Sequence, residues 1–105
     1  MTANTNSIHF IECETMIQGR KWRGFVERDC DRMGWNNTVD DIASGQIDDV
    51  RAVYRVTDGR WEDVTEEVAT EIAHNLTEEP NHDLQCFIER NCGFEFYNRL
   101  EFEHV

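Results

Sequence analysis

The chain has 105 residues with 39% hydrophobic side chains, apolar material for one ordinary domain, so residues 1–105 read as a single unit. Its 22 acidic residues against 10 Lys and Arg give a net charge of −12, which repels nucleic-acid phosphates and anionic membranes and attracts basic protein surfaces. No apolar run approaches the about 18 residues of a membrane span, and residues 1–7 lack the features of a signal peptide. A cytoplasmic protein with four reduced cysteines is therefore expected.

The elements follow in chain order. From Ser7 to Ile17, Ile11, Cys13 and Ile17 alternate with Glu12 and Glu14, the pattern of a half-buried strand. A turn over residues 18–21 leads into a returning strand from Trp22 to Cys30, a register that pairs residue 13 with residue 26. Thr38 and Asp41 open a short helix that Gly45 ends. Val50–Thr57 alternates Val50, Ala52, Tyr54 and Val56 against Arg51, Val53 and Arg55, a strand closed by the turn Asp58-Gly59.

A helix begins at Thr65, burying Val64, Val68, Ile72 and Leu76 and exposing Glu66, Glu67 and Glu71. Pro80 opens a second, with Leu84, Phe87 and Ile88 on its inner face and Gly93 at its end. Phe94, Phe96, Leu100 and Phe102 then alternate with polar residues, the pattern of a last strand. The sum is an α+β fold, a mostly antiparallel sheet of about four strands with two to three helices packed on it.

No catalytic motif is present: His9, His74, His82 and His104 are scattered, and no glycine-flanked nucleophile exists. His82 and Cys86 have the i, i+4 spacing of a ligand pair, but Cys92 points elsewhere on an ideal helix and no close Cys pair anchors a zinc site. No enzyme activity, metal or cofactor is expected. Arg20, Lys21, Trp22 and Arg23 form a basic cluster, read first as a charged hairpin end whose Trp22 packs on the core. Its sharper reading is a second contact point for an acidic patch or RNA.

Charge is unevenly spread. Residues 1–34 are neutral, whereas 35–83 hold thirteen acids against three Arg. The exposed acids of that segment, Asp40, Asp41, Asp48, Asp49, Glu62, Asp63, Glu66, Glu67 and Glu71, are the candidate partner-binding residues. If the helix begins near Asp63, then Asp63, Glu67 and Glu71 make a line of carboxylates about 6 Å apart, a coarse copy of the phosphates spaced about 3.4 Å along a DNA strand. The plainer reading is a solvated face. A single Lys beside nine Arg also fits salt adaptation, but the neutrality of residues 1–34 favours a localised cause.

A short acidic chain carrying Asp48-Asp49-Val50, the turn Asp58-Gly59 and the helix opening Val64-Thr65-Glu66-Glu67 resembles the small accessory proteins of bacteriophages and mobile elements, of the anti-CRISPR and anti-restriction type. The resemblance implies a stoichiometric inhibitor, in the host cytoplasm if phage-encoded. Such a protein binds the basic surface of a host nucleic-acid-handling complex without contacting nucleic acid itself. The alternative is an acidic housekeeping or salt-adapted interaction module. Either is compatible with a homodimer built on an exposed edge strand.

Overall fold

The computed structural model describes residues 7–100 of the chain. β1 (Ile8–Ile17) turns back into β2 (Arg20–Phe25), and a short 3-10 turn over Cys30–Arg32 leads to α1 (Trp35–Ala43). β3 (Val50–Thr57) and β4 (Arg60–Asp63) form a second hairpin, followed by α2 (Thr65–His74), α3 (His82–Cys92) and α4 (Phe94–Asn98). The sheet is four-stranded and antiparallel in the order β2-β1-β3-β4, and the fold is α+β as the sequence predicts.

Both hairpins turn on two residues with left-handed backbone. Gln18 and Gly19 have φ of 51° and 76°, Asp58 and Gly59 of 50° and 80°, the type I′ geometry whose twist matches that of the strands. The tighter first turn pairs Cys13 with Gly24 rather than with residue 26. A shift of two residues keeps every side chain on its expected face.

Along β1–β3 the register slips between Glu12 and Cys13, which face Ala52 and Val50, so Arg51 is the extra residue of a bulge. The bulge changes the parity of β3. Val50 and Val53 are buried against the helices beside Ile11 and Cys13, while Tyr54 and Val56 turn to the opposite face.

The helices cover one face of the sheet. Val64, Val68, Ala69, Ile72 and Ala73 of the α2 segment and Leu84, Phe87 and Ile88 of α3 close the core over Ile11 and Val53. α1 begins at Trp35, three residues before the expected start, because Gly34 caps it in an extended conformation and its carbonyl accepts from Thr38 N–H. Asn81 caps α3, its Oδ1 accepting from Leu84 N–H at 2.8 Å.

The expected last strand is overturned. Gly93, with φ of 97°, redirects the chain, and Phe94–Asn98 forms a helical turn with Tyr97 N–H donating to Gly93 C=O. Tyr97 faces the core, Phe96 is half-buried against His74, and Phe94 is 66% exposed. Period-two spacing over so few residues reads equally well as one turn of helix. The fourth strand is β4 instead; Phe102 and its neighbours from 101 to 105 lie outside the described residues.

Candidate functional site

The nine candidate acids do not lie on one line. Asp41 is buried at 6% exposure, and its carboxylate accepts from the guanidiniums of Arg28 (3.1 Å) and Arg32. Burial alone raises its pKa, but hydrogen bonds from Arg32 and Arg28 and their charges prevail and hold it below the ordinary carboxylate value. Asp41 ties α1 to the segment after β2 and is not available to a partner.

Asp63 belongs to β4, not to the helix. Its Oδ1 accepts from Thr65 N–H at 2.9 Å and from Thr65 Oγ1–H at 2.5 Å, and Thr65 Oγ1 in turn accepts from Val53 N–H. Asp63 thus fixes the start of α2, and only Glu67 and Glu71 of the expected line share the helix. Asp49 sits in left-handed backbone, with its N–H donating to Asp83 Oδ2 and its carboxylate 3.7 Å from Arg51. Glu62 lies 3.9 Å from Arg55.

Asp40, Asp48, Glu66, Glu67 and Glu71 remain exposed, with no ion-pair partner among the described residues. Two of them converge. Asp40 of α1 and Glu71 of α2 line a groove of ≈ 480 Å³ between the helices together with Asn36, Asn75, Val39, Ile72 and Leu76, and Asn75 Nδ2 donates to Glu71 Oε2 at 3.0 Å. A groove lined by carboxylates and aliphatic side chains suits an Arg or Lys, which buries its stem and keeps its charge paired.

The basic cluster lies on β2, one edge of the sheet. Lys21 reaches Glu14 at 3.9 Å and Arg23 reaches Glu12 at 3.7 Å, so neither is an isolated cation. Trp22 does not pack on the core: it is 52% exposed, on a strand exposed along its whole length.

The face of the sheet without helices carries a feature absent from the sequence reading. Phe10, Phe25, Tyr54 and Trp61 form a cluster with ring centroids 5.3 to 6.2 Å apart, Phe10 and Trp61 stacked at 18°. Phe25 is 48% and Trp61 55% exposed. The signal was four aromatics at open-face positions of four separate strands. It becomes visible only once the bulge at Arg51 and the short strand β4 are known.

The cysteines are free thiols. Cys13 is in the core, where burial first and the charges of Asp49, Asp83 and Asp48 after it push the thiol up to about 11. Cys92 packs beside Thr70, and Cys30 is exposed. Cys86 is half-buried, with Sγ 3.5 Å from His82 Nε2. Among the described residues no group of three or more His, Cys, Asp or Glu is placed to hold a metal ion, and no helix is long and apolar enough to cross a membrane.

Site and fold together define an α+β protein with a carboxylate-lined groove on its helical layer and an aromatic face on its sheet. No family model, curated protein or solved structure matches the chain.

Proposed function

We propose that the protein is a stoichiometric inhibitor that presses its acidic helical layer onto the basic surface by which a nucleic-acid-handling complex holds DNA. The reading belongs to the anti-CRISPR and anti-restriction class and involves no catalysis, no cofactor and no direct contact with nucleic acid. The observation that carries it is the convergence of Asp40 and Glu71, thirty-one positions apart in sequence, in one groove, with Glu66 and Glu67 exposed in the first turn of α2. Unpaired carboxylates repel one another and cost α2 a few tenths of a kcal/mol per i, i+4 pair such as Glu67 and Glu71. A partner's Lys and Arg would relieve that repulsion on binding.

The test is affinity capture from a bacterial lysate at low and high salt, comparing the wild-type chain with the variant Asp40→Lys, Glu67→Lys, Glu71→Lys. The expected result is a nucleic-acid-binding protein retained at low salt, released by added DNA, and lost in the variant while circular dichroism shows the fold intact. Retention of a protein that binds no nucleic acid, or capture indifferent to the triple reversal, would overturn the reading.

A further inference from the structure

Ser7, His9, Gly34, Trp35 and Arg55 line a pocket of ≈ 500 Å³ where the start of β1 and the second half of β3 meet the first residue of α1. It shares no lining residue with the α1–α2 groove. We propose that this pocket binds a small organic monocarboxylate through the Arg55 guanidinium, independently of any basic partner on the helical layer.

The strand register and the start of α1 set the guanidinium in place. His9 and Arg55 are cross-strand neighbours in the β1–β3 ladder, so both side chains leave the same face of the sheet. Arg55 Nε–H donates to His9 Nε2 at 3.3 Å, and His9 Nδ1–H donates to Met33 C=O at 3.0 Å, which fixes the buried imidazole as an acceptor. The Trp35 ring supports the guanidinium, its centroid 5.5 Å from Arg55 Cζ. One edge and one face of Arg55 are thus occupied, while both Nη groups lack a hydrogen-bond acceptor among the described residues. Glu62 comes no nearer to Nη1 than 3.9 Å, on a side chain that is 61% exposed.

Charge and size select the ligand. Two Nη donors on one plane match the two oxygens of a carboxylate. No acid lines the pocket, so its local charge is that of Arg55, within a chain of net charge −12. One guanidinium balances a monoanion, whereas a dianion would bring an uncompensated charge into a repulsive field. The volume falls within the about 300–1,000 Å³ of small-molecule sites, larger than a bare ion needs, and Trp35 offers an apolar wall to the carbon body of the ligand.

Nuclear magnetic resonance titration of the isotope-labelled full chain with sodium benzoate, against sodium chloride at equal ionic strength, tests this. The expected result is a set of saturable shifts at the Trp35 indole N–H, the Arg55 Nε–H and the backbone of Ser7, His9 and Gly34. Glu62→Gln removes a competing carboxylate and should tighten binding about twofold or more. Arg55→Gln should abolish it, with circular dichroism as the check on folding; the wild-type shift map and the Glu62 variant decide the matter without that protein. The Asp40, Glu67 and Glu71 reversal should leave benzoate binding intact or tighter, so failure of the proposed inhibition and failure of this site are distinguishable. Shifts that chloride reproduces, shifts that do not saturate or that map to the α1–α2 groove or the aromatic face, or binding unmoved by Glu62→Gln would overturn the proposal. Inorganic phosphate binding more tightly than benzoate would overturn the ligand class.

Discussion

Asp41 stands among the acids that composition marks for a partner, yet its surroundings give it a structural role. Arg28, whose side chain is 6% exposed, donates to Asp41, to the carbonyls of His9 and Arg32 and to Thr38 Oγ1, joining β1, the 3-10 turn and α1. Asp41→Asn keeps the shape but leaves the Arg28 guanidinium without its buried counter-charge. Loss of one partner of a buried pair costs about 3–5 kcal/mol, and a fall of that size is expected in urea unfolding. Beside it, His9 is buried with Nδ1 donating to Met33 C=O at 3.0 Å and Nε2 accepting from Arg55 Nε–H at 3.3 Å, a neutral tautomer between two Arg. Burial first, and then the charges of Arg55 and Arg28, lower its pKa against the opposing bond to Met33. The unfolded chain therefore takes up this proton more readily, and stability is expected to fall as pH drops below about 6.5 towards the folded value. Asp41, also depressed, adds a second loss only below about 3.9. His9→Asn should flatten the upper part of that profile in urea titrations between neutral and mildly acidic pH.

At the scale of elements, the weight carried by α3 and α4 differs sharply. Phe87 of α3 is 2% exposed in the centre of the core, whereas Phe96 of α4 is half-buried at its rim. Phe87→Ala is expected to cost about 3–5 kcal/mol, the range for a fully buried ring, and Phe96→Ala distinctly less. Paired chemical denaturation curves would measure both. A strand at residues 94–98 would reverse that order by burying Phe96 against the sheet. The helix faces were legible in the sequence because Val64, Val68, Ile72 and Leu84, Phe87, Ile88 repeat over several turns with cap signals at their ends. α4 was not legible, because five residues after a glycine satisfy period two and period 3.6 alike. β3 has the expected bounds, but Val50 and Val53, set on opposite sides by simple alternation, share the core face, since a one-residue bulge inverts parity without leaving a mark in composition. β4, four residues long and exposed along its length, has no apolar alternation to announce it. The acids were legible as a group but not by role: Asp41 is held by Arg28 and Arg32 from the segment after β2, Asp63 by Thr65 at the start of α2, and Asp40 and Glu71 share a groove that only the packing of α1 on α2 creates.

Across the whole molecule, the uneven charge along the chain becomes an uneven charge over its surface. Principal extents of 46 × 42 × 22 Å leave room in the thin direction for one sheet and one layer of helices, so each layer presents its outer side to a different environment. The helical side carries unpaired carboxylates, while near the aromatic side Glu12 and Glu14 are matched by Arg and Lys. Ionic strength should therefore act mainly on the helical side. Attraction between the α1–α2 groove and a basic partner weakens once the Debye length shortens from about 10 Å at 0.1 M salt to about 3 Å at 1 M, and capture should fall accordingly. The fold does not depend on that attraction, because its core of Ile11, Val53, Val68, Ile72 and Ile88 is apolar and the one buried acid among the described residues, Asp41, is paired within the chain. Circular dichroism is expected to show a folded chain in dilute buffer, with thermal unfolding little altered by salt. A chain that unfolds in dilute buffer and recovers in molar salt would instead identify the acidity as salt adaptation and remove the basis for an inhibitor that acts through charge.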